Sequence, residues 1–321
     1  MMNTAMGFYL KTQNLKLHLS ASAPHVICIG EMLADFVPEG RFHELRPGGA
    51  PSNVAINLAR LGLKTSIISK VGDDFLGEFL VDFAKKNHVD VRHVSKAKGH
   101  KTGLVFVFLK KNKERDFSFY GSPSADTKLS KNDVKPAIFK GAKILHFGSI
   151  SMMTKSSAQA VMAAVRSAKK AGALISYDPN VRLNLWEGRH AQAKKLINSC
   201  FKYSDIVKLS DAELKFLFNA RPEKKALSTI FGGKKLVLVS AGKRGCYAGY
   251  GGLFAYSPAK KTKVVDTTGA GDAFMAGALY ELINKGLLGK DGIDMNNENL
   301  MSICRAANKL GSIAVGRKGA V

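Results

Sequence analysis

Short apolar strands alternating with amphipathic helices predict an α/β fold: a mostly parallel sheet covered by helices on both faces, in three αβα layers. Three observations carry this. Val26-Ile27-Cys28-Ile29-Gly30, Lys143 to Phe147 and Lys235 to Ser240 are short, apolar and bounded by turn residues. Helical patterns such as Ser156 to Ala171 lie between such runs. Thr102 to Leu109 and Arg115 to Tyr120 break the rhythm, being β-rich with no helix between them, and predict a small accessory sheet. At 321 residues and 45% apolar, the chain suits one large domain over 26–321 behind an extension at 1–25.

In order, Val26 to Gly30 is the first buried strand. Asp35 follows among apolar neighbours, as a turn residue or as a carboxylate left at a strand end to grip hydroxyls. Pro47-Gly48-Gly49-Ala50-Pro51-Ser52-Asn53 is a tight turn into a helix from Asn53 to Leu61, stopped by Gly62, with Ser52 or Asn53 as N-cap. A cap explains one of these polar residues and leaves the paired glycines unexplained. Gly48-Gly49 would let a ligand approach the backbone, and Asn53 offers a donor and an acceptor together, which suits a sugar. Lys64 to Ser69 is a strand and Gly72 to His88 an amphipathic helix. Lys110-Lys111-Asn112-Lys113-Glu114 is a polar hairpin turn between the accessory strands.

The alternation resumes at Lys143. Leu174 to Tyr177 is a strand, with Asp178-Pro179-Asn180-Val181-Arg182 at its end and Trp186, the only Trp, just beyond. Asp205 to Leu209 is a strand, Asp211 to Asn219 a helix, and Gly242-Lys243-Arg244-Gly245 a turn leading into a strand from Cys246 to Tyr250. A helix from Asn297 to Val315 closes the chain. In such sheets ligands bind at the C-terminal strand ends. Asp35, Gly49, Asn53, Arg182, Lys208, Glu213 and Asp272 all fall there.

The most informative stretch is Val264-Val265-Asp266-Thr267-Thr268-Gly269-Ala270-Gly271-Asp272-Ala273-Phe274. Two β-branched residues read as the end of a buried strand. A helix follows from Asp272 to Asn284, with Phe274, Ala278 and Leu282 on one face. A Gly-Ala-Gly turn into a helix presents backbone N–H groups at the positive end of its dipole, a site for a phosphate. Asp272 would repel that phosphate unless it takes a proton from the attacking group; the plainer reading is a capping Asp. The dinucleotide fingerprint would need a glycine where Phe274 stands, and no Gly-x-x-x-x-Gly-Lys-Ser/Thr occurs.

A net charge of +24, from 49 basic and 25 acidic residues, is spread along the chain without a nucleic-acid-binding module. It reads as a solvated surface with some lining of an anion site. Cys28, Cys200, Cys246 and Cys304 are far apart, which suggests a reduced, cytoplasmic protein without a cysteine metal site. No apolar run reaches membrane-spanning length. Ala21-Ser22-Ala23 resembles a signal cleavage site, but polar residues break up the run before it, so an upstream extension is expected instead.

Two signatures, Gly48-Gly49-Ala50-Pro51-Ser52-Asn53-Val54-Ala55 and Asp266-Thr267-Thr268-Gly269-Ala270-Gly271-Asp272, make the chain resemble the ribokinase-like (PfkB) carbohydrate kinases from Val26 to Val321. Gly30 to Pro38, Pro123 to Asp126 and Tyr177 to Arg182 look most like bacterial fructokinases. The resemblance implies a ribokinase-like sheet with a β lid from about 35–46 and 98–120. It implies Asp272 as base and Gly269, Ala270 and Gly271 as anion hole. Asp35, Gly49, Asn53 and Arg182 would hold the sugar under a lid residue, Phe119. Lys208 and Glu213 would attend the phosphates, Glu213 through waters of Mg2+. Ser240, Gly242 and Gly245 would contact ATP, and Asn308 would lie near the adenine. Asp266 and Thr268 resemble ligands of a monovalent cation, K+ being the candidate. Ser210 replaces the Asn of the family's Asn-x-x-Glu, Ser240 replaces a Thr, and the chain ends at Val321 where the family usually continues.

The expected function is an ATP-dependent fructokinase acting on small molecules, without nucleic acid or membrane partners, with the lid as a homodimer surface. The nearest alternative is 2-keto-3-deoxygluconate kinase. A non-catalytic sugar or nucleotide sensor is the alternative from another class.

Overall fold

The computed structural model describes residues 25–109, 115–121, 123–289 and 292–321. Residues 1–24 of the expected extension at 1–25 and the turn at 110–114 lie outside the described residues, while His25 already belongs to the first strand. Strand β1 (His25–Ile29) is followed by β2 (Leu33–Glu39), β3 (Phe42–Gly48), helix α1 (Ala50–Arg60), β4 (Lys64–Gly72), α2 (Phe75–Lys86) and β5 (Val89–Ala97). After β6 (Leu104–Leu109) and β7 (Arg115–Tyr120) come β8 (Ala142–Gly148), α3 (Lys155–Lys170), β9 (Leu174–Asp178), α4 (His190–Phe201) and β10 (Ile206–Ser210). Then follow α5 (Asp211–Phe218), α6 (Lys224–Phe231), β11 (Leu236–Ser240), β12 (Cys246–Tyr250) and β13 (Leu253–Ser257). Two long helices, α7 (Ala270–Asn284) and α8 (Asn297–Val315), close the chain.

Among the described residues the main sheet has nine strands in the order β13-β12-β11-β10-β9-β8-β1-β4-β5. Pairing is parallel from β11 to β5, and the β12–β13 hairpin adds an antiparallel edge. The alternation of β1 shows how both faces are covered. Val26 and Cys28 join a core with α1, α2, α7 and α8, while Ile27 and Ile29 join one with α3, α4, α5 and α6. The chain leaves β1 toward β4 and β5, then returns to add β8 to β11 on its other side. The C-terminal ends of these strands flank that reversal, where ligands bind in open α/β sheets.

Helix α7 is buried along most of its circumference, from Asp272 to Leu279, because α1 and α8 both cover it. Gly277 permits the close crossing: a Cβ there would lie 2.7 Å from the Ala306 carbonyl oxygen. A second sheet, in the order β3-β2-β6-β7, forms where the accessory sheet is expected, and Asp35, Val105, Phe117 and Phe119 of it line a cavity. Asp35 pairs with Val105, and Val105 with Phe119, so these share the face toward the cleft. The other face carries Phe36, Phe106, Phe108 and Tyr120, with the Phe36 and Phe106 rings stacked at 5.0 Å.

Three local expectations are corrected. Asp35 is neither a turn residue nor at a strand end: it lies within β2, paired with Arg46 of β3 and Val105 of β6. Helix α1 begins earlier than expected, with Gly49 at its N-cap and Pro51 in its first turn; Ser52 and Asn53 are buried inside the helix and do not cap it. Val264 and Val265 do not end a buried strand. They are 62% and 47% exposed, and the N–H groups of Val265 and Asp266 reach the Val315 carbonyl of α8 instead.

Candidate active site

The centre is the start of α7. Gly269 adopts φ 71° as its N-cap, and no side chain caps the turn. A Cβ on Gly269 would fall 2.4 Å from the Ala320 Cα, so only glycine fits there. Gly271 brings the turn against Lys208, whose Nζ lies 3.0 Å from where a Cβ would be. The Ala270 N–H donates to the Thr267 carbonyl at 3.2 Å. Asp272 is not a cap. It is 8% exposed, its Oδ2 accepts from Asn53 Nδ2 of α1 at 2.8 Å, and it lines two cavities, one on either side of the turn. Burial raises its pKa to about 6; the Asn53 hydrogen bond, Lys208 and Arg182 oppose the rise, and Asp178 adds to it.

On the lid side of Asp272, one cavity gathers Asp35, Gly49, Asn53, Phe119, Arg182 and Gly269. Burial raises Asp35 to about 7, with Arg182 opposing and Asp272 adding. Asn53 Oδ1 is buried without a hydrogen-bond partner and stays available to a ligand hydroxyl. The paired glycines make room for protein groups. A Cβ on Gly48 would meet the Asp35 carboxylate at 2.3 Å, and one on Gly49 (φ 96°) the Glu31 carbonyl oxygen at 2.3 Å. Gly48 thus lets a strand of the lid carry a carboxylate into the cavity.

On the other side, a cleft of about 370 Å3 is lined by Arg182, Lys208, Ser210, Glu213, Ser240, Gly271 and Asp272. Lys208 pairs with Asp178 at 2.9 Å, so Asp178 is engaged by the lysine and not by Arg182. Burial acts to lower the Lys208 pKa, but Asp178, Glu213 and Asp272 together raise it, keeping the ammonium charged. Glu213 closes a capping box with Ser210, the residue that departs from the family pattern: its carboxylate accepts from the Ser210 N–H at 2.7 Å and Oγ at 2.9 Å. Beyond lies a cavity of about 510 Å3 lined by Ser240, Gly242, Gly245, Phe274, Asn308 and Val315, among others. Asn308 Nδ2 donates to the Ser257 and Pro258 carbonyls at 2.8 and 3.3 Å.

Asp266 sits beneath this turn, accepting from the Thr268 N–H at 2.7 Å and the Gly319 N–H at 2.9 Å. The Thr268 hydroxyl is buried without a hydrogen-bond partner.

Every candidate residue but Asp266 thus lines one of three adjoining cavities: the cleft beside Lys208 shares Ser240 and Gly271 with the larger cavity, and Arg182, Gly269 and Asp272 with the one under the lid sheet. Sequence reasoning did not single out several residues of the cavity under the lid sheet, among them Glu31, Phe117 and Asn180. Phe117 was accessible from strand periodicity, standing two residues before Phe119. Glu31, 1% exposed and raised to about 7 by burial, holds Ser151 Oγ at 2.6 Å; nothing in the local sequence signals that role. Among the described residues no helix is long and apolar enough to cross a membrane.

The model of the pfkB family carbohydrate kinases matches residues 23–321. The chain is 41% identical over 314 residues to fructokinase-2 of Oryza sativa subsp. japonica, covering 94% of this chain and 91% of that protein. It superposes with a TM-score of 0.82 on the fructokinase of Vibrio cholerae bound to fructose, ADP and calcium, at 30% identity, covering 93% of this chain and 95% of that one. For the ATP-bound fructokinase of Xylella fastidiosa the values are 0.81, 32%, 92% and 93%.

Proposed function

The chain belongs to the pfkB family of carbohydrate kinases, and from that premise we propose that it transfers the γ-phosphate of ATP to fructose, giving fructose 6-phosphate. The observation that carries the choice of acceptor is the charge of the sugar-side cavity. Glu31, Asp35 and Asp272 face it with Arg182 as the one cation of its lining. Three carboxyl groups favour a neutral polyol whose hydroxyls donate to them, and disfavour the carboxylate of 2-keto-3-deoxygluconate. The likeness to named fructokinases supports the same choice.

In this reading the sugar hydroxyl donates to Asp272 and attacks the phosphorus in line. Asp272, with a pKa of about 6, is ionised at neutral pH and close enough to that pH to accept the proton as the new bond forms. The first turn of α7 and Lys208 receive the charge on the transferring group. The lid, with Phe117 and Phe119 inward, excludes the water that would otherwise compete as acceptor. Asn308 and the turn from Ser240 to Gly245 border the nucleotide.

Mg2+ and K+ belong to this reading as well. Glu213 lines the phosphate cleft and Asp178 stands beside Lys208; such oxygen donors suit a hard cation shared with phosphates and waters. When bound, it neutralises phosphate charge. Asp266 and the unpartnered Thr268 hydroxyl suit a monovalent ion. The reading includes a cytoplasmic location, and a homodimer through the aromatic outward face of the lid, which light scattering would test.

The deciding experiment is an ADP-release screen over fructose, ribose, 2-keto-3-deoxygluconate and nucleosides. Fructose should give the highest kcat/KM. A preference for 2-keto-3-deoxygluconate would overturn the acceptor and keep the kinase. No ADP release with any acceptor would favour the sensor alternative.

A further inference from the structure

The segment from Asp178 to Trp186 touches both ends of the cleft. One oxygen of Asp178 holds Lys208 at 2.9 Å, and the other accepts the Asn180 N–H at 3.1 Å. Asn180 adopts φ 45°, a left-handed conformation that asparagine tolerates better than most residues. That turn aims the next N–H, of Val181, at Glu213 Oε1, 2.6 Å away. The second oxygen of Glu213 is taken by Ser210, so one carboxylate staples the segment to the N-terminus of α5. Beyond it, the Arg182 guanidinium lies 5.2 Å from the centre of the Phe117 ring of the lid. Asn184 Nδ2 donates to the Phe117 carbonyl, and Trp186 anchors the far end in the core.

We infer that residues 178–186 couple the phosphate end of the cleft to the lid, with Glu213 as the positioning residue that sets the segment. The inference rests on the kinase reading and adds to it a second task for Glu213. Phosphates arriving at Lys208 draw on the same ammonium that Asp178 holds, and Asp178 also holds Asn180. A shift there is passed through Val181 and Arg182 to Phe117. Sugar seated under Phe117 acts on the same bonds from the other side, so the coupling is reciprocal.

Trp186 is the only Trp of the chain, so its fluorescence reports this segment directly. Wild-type protein is titrated with fructose, with and without a non-hydrolysable ATP analogue and Mg2+, and then in the reverse order. Each ligand should tighten the other by about tenfold, equally in both directions. Glu213→Gln and Asn184→Ala should each reduce that factor to within about twofold. Asn184 is exposed and stands at the lid end, so Asn184→Ala should fold and bind the analogue alone as wild type does. Independent binding in the wild type, or tenfold coupling retained in both variants, overturns the coupling and leaves the kinase. A wild type that binds neither ligand overturns the kinase reading and the coupling with it.

Discussion

In the proposed reading, the two ends of the cleft recognise their ligands by different physics, the sugar at one and the nucleotide at the other. The sugar end is built from charged and amide side chains taken out of water: Glu31, Asp35, Asn53 and Asp272 are each less than a tenth exposed. Burial lifts the three carboxyls to about 7, 7 and 6. The nucleotide end is a larger cavity lined by small residues, apolar surface and lysines at its rim. Its one buried amide, Asn308, spends its donor group on two backbone carbonyls. A site made of buried hydrogen-bonding groups discriminates strongly, because a wrong ligand leaves those groups unpaired. A site made of shape and backbone tolerates more. Truncating a side chain should therefore cost much at the sugar end and little at the nucleotide end.

The largest effect belongs to Asp272. Asp272→Asn keeps an oxygen to accept from Asn53 but cannot take a proton. Loss of a general base typically lowers kcat by about 10²–10⁴-fold. The pH dependence follows from the same group: kcat/KM should fall as pH drops through about 6, where Asp272 protonates. Stability moves the other way. A carboxyl whose folded pKa is raised binds its proton more tightly in the folded state. Its contribution is therefore full below about 4 and is lost as pH rises through about 6. Asp272→Asn removes that loss, so at pH 8 the variant should melt no lower than wild type. Turnover within about threefold of wild type, well short of the expected loss, would show that Asp272 is not the base.

What the sequence disclosed, and what it did not, follows the same division. The two glycine signatures and the strand–helix rhythm made the fold, the lid and the candidate residues legible, since each depends on local backbone demands that fix residue type. Among the elements that escaped were β5, α4, α6 and β13. Strand β5 mixes charges among its valines, Val89-Asp90-Val91-Arg92-His93-Val94, as an edge strand facing solvent. Helices α4 and α6 bury only a few apolar residues each. The paired glycines were read as room for a ligand, yet what approaches them is Asp35 and the Glu31 carbonyl. Such contacts join residues distant in sequence, and a single chain read in order carries no signal for them. Glu31, Asp178 and the link from Glu213 to Val181 escaped for that reason.

A smaller effect is expected at the lid, which covers only the sugar end. Phe119→Ala opens that cover without touching the nucleotide cavity. The KM for fructose should rise about tenfold, in line with the loss of a buried aromatic contact of roughly 1–2 kcal/mol. ATP hydrolysis without sugar should increase, while the KM for ATP stays within about twofold. Unchanged values for both sugar KM and hydrolysis would take the lid role from this residue.

The smallest effect on substrate affinity should come from Asn308, although it lies deep in the nucleotide cavity. Its Nδ2 already serves the Ser257 and Pro258 carbonyls, at the C-terminal end of β13. Asn308→Ala would leave those carbonyls short of a donor, at a cost of about 1–3 kcal/mol for a buried group. In a chain of this size that is a fall of about 2–6 °C in Tm. ATP would lose little, since the residue acts by holding the cavity wall. The KM for ATP should rise by no more than about threefold, below 1 kcal/mol. The KM for fructose should not change. The opposite split, with Tm unchanged and the ATP KM up by tenfold or more (about 1.4 kcal/mol), would mean that Asn308 reads the nucleotide base directly. The nucleotide end would then share the side-chain recognition of the sugar end, and the contrast between the two would fail where it is drawn most sharply.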